Sequence, residues 1–478
     1  MRFFRHKSQS SASQGGPRRR GWGSPVKRAA ADYRIGPRSF NNLSLYAFGL
    51  SGVWTGIGSA ILPFKVIEVL EVSNVEILGY QLDKNGVLGL LSLAGLSIAA
   101  FIQLLAGNLS DREPRPGRRL PYLFIGGMGL AVATVLFGYA GTFTSLFLIV
   151  VGMQFFGNFG QGPANALIID HVHPSRRGEA AGVLNLWRLL GAGIITVIVF
   201  QFMSRYDHVE SPEWMWYSII LAVTVLVISA LWTVLSLRPK RGTRVFLPRV
   251  TNGAATAAIR SVTEMTTQRV QITRNYLFFL IALAFAIAAM SSMQIYALFF
   301  LQDVVGLENP ANGADQLVVI IAGSAGITVL PAGLMADRFG RDKLFFIAGT
   351  LGAISSALLL FVDSLGPVLL IGVLIGLAVG LLLTLTWVVA NDLVSKQSAA
   401  KELGYTSIAT LTGAALARFS GVGIDILNEV SENLGYQAIL VSVSAAFIIS
   451  SLLLSRVASN PSKAISGSDS PASLSAAN

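Results

Sequence analysis

The chain has 478 residues, of which 53% are hydrophobic and only 13% charged, too much apolar surface for a globular core and the composition of an integral membrane protein. It contains no cysteine, which excludes disulfides, thiol nucleophiles and thiolate metal sites. The formal charge of +11 sits in particular loops, as membrane topology demands, so it does not argue for nucleic acid as a partner.

Residues 1–41 are polar, Ser/Gly/Pro-rich and basic, with Asp32 as their single acid. They are expected to be a disordered cytoplasmic tail held near anionic headgroups, with an organelle transit peptide as the alternative. Apolar stretches of about 20 residues, each enough to cross about 30 Å of hydrocarbon as a helix, follow at 42–64, 86–106, 120–140, 144–168, 180–203 and 215–237. A polar linker over 238–274 intervenes, and six more stretches occupy 275–302, 314–335, 343–362, 366–391, 402–426 and 435–457. The tail over 458–478 is Ser/Ala-rich and expected to be disordered. The predicted fold is all-α and membrane-integral, twelve transmembrane helices in two six-helix bundles, 42–237 and 275–457.

After the second stretch comes GNLSDREPRPGRRLP, in which Gly107, Asp111, Arg112, Gly117, Arg118 and Arg119 make a tight charged turn suited to pinning helix ends together. After the eighth comes GLMADRFGRDK, with Gly333, Asp337, Arg338, Gly340 and Arg341 in matching places. A second match supports the first: the fourth stretch ends at Asp170 with Glu179 opening the next, and the tenth ends at Asp392 with Glu402 opening its successor. The halves are therefore read as a duplication related by pseudo-symmetry. Basic residues of the tail, the two turns and the linker fall on one side, and acids such as Glu68, Asp207, Asp303, Asp315 and Asp425 on the other. The positive-inside rule then puts both termini in the cytoplasm. The plasma membrane is expected, an organelle inner membrane being the alternative.

In the fourth stretch Gln154, Asn158, Gln161 and Asn165 recur at i, i+4, i+7 and i+11 and line one helix face for about 16 Å. Such a face turns either to a polar cavity or to partner helices, because amides facing lipid are costly. Amides both donate and accept, which suits neutral hydroxyl-rich solutes. The duplication sets Asn165 against Trp387, which reads either as a stacking platform for a sugar ring or as an interfacial aromatic. Arg188 and Arg418 lie inside the fifth and eleventh stretches with no acid at their depth in the same stretch, so each is expected to face water or a partner, Asn185 being the candidate for Arg188. Asp170 and Asp392 are candidate proton sites. His6, His171, His173 and His208 fall in tails or loops, so no metal or cofactor is expected. No nucleophile–base pair or nucleotide-binding glycine loop points to an enzyme.

The repeated GxLxDRxGR turn and twelve spans with a middle loop resemble the major facilitator superfamily, over roughly residues 42–457. Within it, GNLSDREPRPGRRLPY and GQGPANALIID are similar to the glycoside/cation symporter and sucrose-transporter-like branch, with Asn165 standing where the branch motif has arginine. The resemblance implies a monomeric secondary transporter of a small polar solute, most readily a sugar or glycoside, working by alternating access, with protons as a candidate coupling ion and uniport or exchange left open. It also implies that the charged turns control the switch between states. An exporter or exchanger of organic anions or drugs using Arg188 and Arg418 is one alternative. A transport-silent relative serving pigment assembly or docking is another.

Overall fold

In hydrocarbon a single chain segment satisfies its own backbone only as a helix, and the computed structural model of the protein is built accordingly. It describes residues 37–112 except 73 and 78, 117–172, 176–238, 274–393 and 399–459. The expected tails before residue 37 and after residue 459, and the linker over 239–273, lie outside the described residues. Twelve long helices stand among them. In the first half α1 runs Pro37–Gly56, passes through a π-helical turn at Ile57–Ile61 and continues as Leu62–Val72. It is followed by α2 Lys84–Arg112, α3 Leu120–Gly138, α4 Phe143–His171, α5 Arg177–Met203 and α6 Glu213–Ser236. The second half holds α7 Arg274–Asp303, α8 Pro310–Phe339, α9 Arg341–Leu358, α10 Leu365–Leu393, α11 Ala399–Val430 and α12 Leu434–Ser459.

The helices outrun the apolar stretches that announce them. With 29 residues, α2 is about 43 Å long, against about 30 Å of hydrocarbon. At the end of α1, charges that mark a boundary in the sequence are paired instead: Lys65 is buried and its ammonium lies 2.6 Å from Glu68, which also accepts from the Tyr206 hydroxyl. A short antiparallel hairpin, β1 Val75–Ile77 with β2 Tyr80–Leu82, joins α1 to α2. The sequence reading has no counterpart to it.

Packing repeats from one half to the other. In the first, α1 packs on α5 and α6, α2 on α4, and α3 on α4 and α6; in the second, α7 packs on α11 and α12, α8 on α10, and α9 on α10 and α12. Glycines allow the closest crossings. A Cβ on Gly126 of α3 would stand 2.6 Å from the backbone nitrogen of Gly160 in α4, and one on Gly349 of α9 2.0 Å from Ser451 of α12.

The halves meet through α2 against α11 and α5 against α8. The start of α1 and the finish of α12 lie at one end of the bundle, the termini end, and the apolar core distinguishes it from the other, far end. One continuous core takes in the first half together with the far-end portions of the second, including Phe299, Phe300, Leu301, Ile371 and Tyr436. The termini-end portion of the second half, from Tyr276 and Phe279 to Leu385 and Phe447, forms a separate core. The halves are thus fused at the far end and packed independently at the termini end.

Replacing Gly126 by leucine is expected to force α3 away from α4 and cost about 3 kcal/mol, as overpacking does. Thermal unfolding of the purified variant in detergent, followed by tryptophan fluorescence, checks this. Gly152, whose Cβ would meet nothing within 4 Å, is the control and should tolerate the same change.

Candidate functional site

The amide stripe of α4 divides into two pairs. Nearer the far end, the Asn158 amide donates to the Gln154 carbonyl at 2.9 Å and to its Oε1 at 3.1 Å, and Gln154 packs against Gly95 of α2. This bond is made within α4, on the face that packs against α2. Nearer the termini end, Pro163 removes one bond from the helical ladder, and Gln161 and Asn165 line a small pocket between α1, α4 and α5 with Tyr46, Ser51, Trp54 and Arg188. Across this pocket the Arg188 guanidinium donates to Asn165 Oδ1. Asn185, expected beside Arg188, is exposed, and the described partner is on the neighbouring helix instead. The pocket holds ≈ 40 Å³, room for a water or one group of a ligand.

Arg418, grouped with Arg188 by the sequence, stands elsewhere. It lies in the far-end part of α11, its guanidinium donating to the Ala414 carbonyl of its own helix at 2.8 Å. Its Nε is buried without a hydrogen-bond partner. Its own carbonyl accepts from the Tyr296 hydroxyl at 2.9 Å.

The first charged turn is held by glycine and arginine. Gly117 adopts φ +70°, open to it without the penalty a side chain brings. The following Arg119 is buried, with Nε 2.5 Å from Asp170 Oδ2, a guanidinium nitrogen 2.8 Å from Asp111 Oδ1, and a bond to the Ser110 hydroxyl at 3.2 Å. Arg118 donates to the Asp111 carbonyl at 2.9 Å. Desolvation by itself would lower the pKa of Arg119, but the hydrogen bonds and charges of Asp170 and Asp111 outweigh it and hold the guanidinium above its ordinary value. The sequence reading has this turn pinning helix ends together. The described bonds tie α2, α3 and α4 of one half, because Arg119 at the start of α3 points between the ends of the other two. Asp170, a candidate proton site in the sequence, is thereby engaged in an ion pair. His171 ends α4 rather than lying in a loop, and burial pushes its imidazole below its ordinary value.

Of the second turn, Gly340 takes φ +90° between α8 and α9, and the exposed Arg338 lies over the Phe339 ring at 5.7 Å. Arg341 opens α9. The side chains of Arg112, Asp337, Trp387 and Asp392, and the surroundings of Gly333, fall outside the described residues, although all five belong to helices.

At the far end a polar seam joins the halves. Lys84 of α2 lies 2.5 Å from Asp303 of α7 and over the Phe299 ring. Tyr436 of α12 donates to Asp303 at 2.6 Å and lies 3.2 Å from Asn85 Oδ1. The Gly86 N–H donates to Asp425 of α11 at 2.6 Å. On the other interface, Gln201 of α5 donates to Asp315 of α8, and Asn309 to the Ser204 carbonyl. Asp315 and Asp425, read from sequence as acids of the solvent side, are only 5% and 3% exposed. The signal for Asp425 was Gly86 and Gly89 opening α2: a Cβ on Gly89 would stand 2.3 Å from the Arg418 carbonyl, and one on Gly421 2.3 Å from that of Asn85. Helices that cross so closely bury whatever polar groups flank the crossing.

Below the seam is a chamber of ≈ 490 Å³ where α1 and α5 face α7, α8, α10 and α12. Its walls are mostly apolar, and none of the described residues lining it is ionisable as an acid or base other than Tyr296 and Tyr436. Ser59, in the π-helical turn of α1, is one of its few polar groups.

Compared with known proteins, residues 80–455 match the family described as MFS/sugar transport protein. No curated protein matches the sequence significantly. Among solved structures the chain is similar to the nucleoside transporter NupG, at TM-score 0.61 and 13% identity over 87% of this chain and 99% of that one. It is also similar to a bacterial homologue of the human lysosomal transporter Spinster in an inward-facing, unoccupied conformation, at 0.57 and 15% over 88% and 94%. A structure of the peptide transporter POT gives 0.62 and 15% over 91% and 98%. At these identities the likeness is one of fold.

Arg119→Ala is expected to leave the half-buried Asp170 with only the longer contact of Arg118 at 3.7 Å and to cost about 2 kcal/mol, lowering the melting temperature of the purified protein. Arg119→Lys should recover only part of this, since a lysine cannot reach Asp170, Asp111 and Ser110 at once.

Proposed function

The chain belongs to the MFS/sugar transport protein family, and from that premise we propose that it is a secondary transporter carrying a sugar or glycoside by alternating access. The observation that carries this is the asymmetry of the two ends: the halves are sealed through the seam at the far end and have separate cores at the termini end. The basic charge of the turns and linker supports a cytoplasmic termini end, which makes this the inward-facing state of a single chain in the plasma membrane. Opening the far end requires α2 to part from α11 and α5 from α8. The charged turns act in this switch by keeping each half rigid as it rocks, the Arg119 cluster locking α2, α3 and α4 into one body.

The solute is proposed to be held through Gln161, Asn165 and Arg188, where three helices of the first half converge. Gln154 and Asn158 support that wall from behind, and Trp387 and Arg418 belong to the facing half. For proton coupling the favoured carboxylates are Asp315 and Asp425, in preference to Asp170 and Asp392. Each of the two is buried in the seam with one oxygen lacking a hydrogen-bond partner, which is where a proton would sit, and each touches the opposite half. A second reading, transport of an organic anion, is favoured by Arg188 having a neutral amide as its described partner.

Uptake of labelled sugars, glycosides and organic anions into proteoliposomes, with and without a pH gradient, tests the proposal. The expected result is saturable uptake of a sugar or glycoside that a protonophore reduces; flux of none of them would refute it. Arg188→Gln separates the readings: a neutral sugar should bind roughly tenfold more weakly, the cost of one charge-assisted hydrogen bond, while anion transport should be abolished. Gly89→Val should hold the far end open, seen as labelling from outside of a cysteine introduced at Ser292, in a chain that has none of its own.

A further inference from the structure

The polar pocket and the apolar chamber are neighbours along two helices. On α1 Ser51 lines the pocket and Thr55 lines the chamber, with the Thr55 hydroxyl 2.8 Å from the Ser51 carbonyl. On α5 Arg188 lines the pocket, and Leu189 and Ala192 line the chamber. One helical turn, about 5.4 Å, separates the two spaces. At their boundary the hydroxyls are already engaged: Thr196 donates to Thr55 at 2.7 Å, and the Thr55 hydroxyl lies 3.2 Å from the Ala192 carbonyl. The chamber beyond therefore asks for little hydrogen bonding from an occupant. Most of its surface is apolar, with Met290, Met293, Ile321, Ile375, Val379 and Leu440 among its walls, and the two flexible thioethers are able to adapt to different shapes. Leu189, 68% exposed, and Leu383, 40% exposed, mark its open side. A pocket of ≈ 40 Å³ takes one group of a sugar and leaves the rest of the ring outside it, and an uncharged chamber of ≈ 490 Å³ does not reward a bare sugar for losing its water.

We propose that the two spaces form one composite site for an amphiphile, its hydrogen-bond-accepting head at Arg188, Asn165 and Gln161 and its apolar body in the chamber. The inference rests on the transporter reading above and narrows its solute to molecules in which an aryl or alkyl group is attached to the head. Discrimination then comes from the second half of the chain, through α7, α8, α10 and α12, and orientation from the first, through α1, α4 and α5. A head alone engages only one half. A full amphiphile touches both, and so is the ligand able to draw them together.

The test uses the full chain in lipid nanodiscs and two pairs of ligands by titration calorimetry: glucose against phenyl β-glucoside, and acetate against 3-phenylpropanoate. At least one phenyl-bearing compound is expected to bind more than roughly tenfold more tightly than its head alone, from the apolar area it buries. An advantage in the first pair assigns a neutral head and one in the second an anionic head; either upholds the composite site. Gly193→Phe fills the chamber from α5 at a position where a Cβ meets nothing within 4 Å. It should abolish the advantage while leaving binding of the head alone unchanged, and Ala322→Phe, from α8, repeats the test should the first variant misfold. Arg188→Gln should weaken both members of a pair by the same factor. Equal affinity within both pairs, or an advantage that survives both filling variants, overturns the proposal. Uptake of glucose without any preference for the phenyl glucoside sinks the composite site and leaves the transporter reading standing; tight phenyl-dependent binding without flux of any compound does the reverse.

Discussion

The conformation of the whole molecule depends on two helix crossings at one end of the bundle. Where α2 meets α11, Gly89 and Gly421 each stand against a carbonyl of the other helix, so close that neither could carry a side chain. Membrane helices gain little from burying apolar surface against each other, since lipid is equally apolar, and depend on close backbone approach and on hydrogen bonds that lipid cannot replace. The seam supplies both. Its glycines bring the backbones together, and Lys84, Asp303, Tyr436, Asp425, Gln201 and Asp315 bridge the crossings with polar contacts. Parting the halves exposes these groups, which costs little only if water can reach them. This favours an arrangement in which the polar seam lies at an end of the bundle and not in its middle.

The duplication is close in architecture and loose in chemistry. The repeated turns set Asp337 on Asp111, and by the same offset Asp315 on Gly89. One position is thus a glycine where α2 must approach α11, and a carboxylate where α8 approaches α5. The two interfaces are therefore sealed differently, one by backbone contact with an acid from α11 and the other by an amide–carboxylate pair. A similar divergence separates the site walls: the first half offers Gln161, Asn165 and Arg188, and the second methionines and branched aliphatics. In the proposed transport cycle, pseudo-symmetric helices serve the rocking motion and unlike surfaces serve recognition.

Rigid parts make such a motion possible. Arg119 gathers the ends of three helices through two carboxylates and a hydroxyl, and glycine contacts such as Gly126 on Gly160 and Gly349 on Ser451 lock neighbouring helices within each half. The π-helical turn in α1 is the exception. It locally loosens the ladder in the helix that carries Ser51, Thr55 and Ser59 past both parts of the proposed site, a placement in keeping with the frequent occurrence of such turns at functional positions.

By itself the sequence determined the membrane setting, the twelve-helix architecture and its duplication, because these follow from local properties: length of apolar runs, periodicity, and the cost of a charge in lipid. It misplaced the ends of α1, since Lys65 and Glu68 look like an interface until Tyr206 is brought beside them from another helix. It also took Asp315 and Asp425 for solvent-side acids, since their burial comes from helices far away in the chain. Only the tertiary structure decided which end is closed, that Arg119 gathers the ends of α2, α3 and α4, and that an apolar chamber adjoins the polar pocket. Each of these is a relation between surfaces, and a surface that meets lipid and one that meets a cavity are written in the same apolar residues.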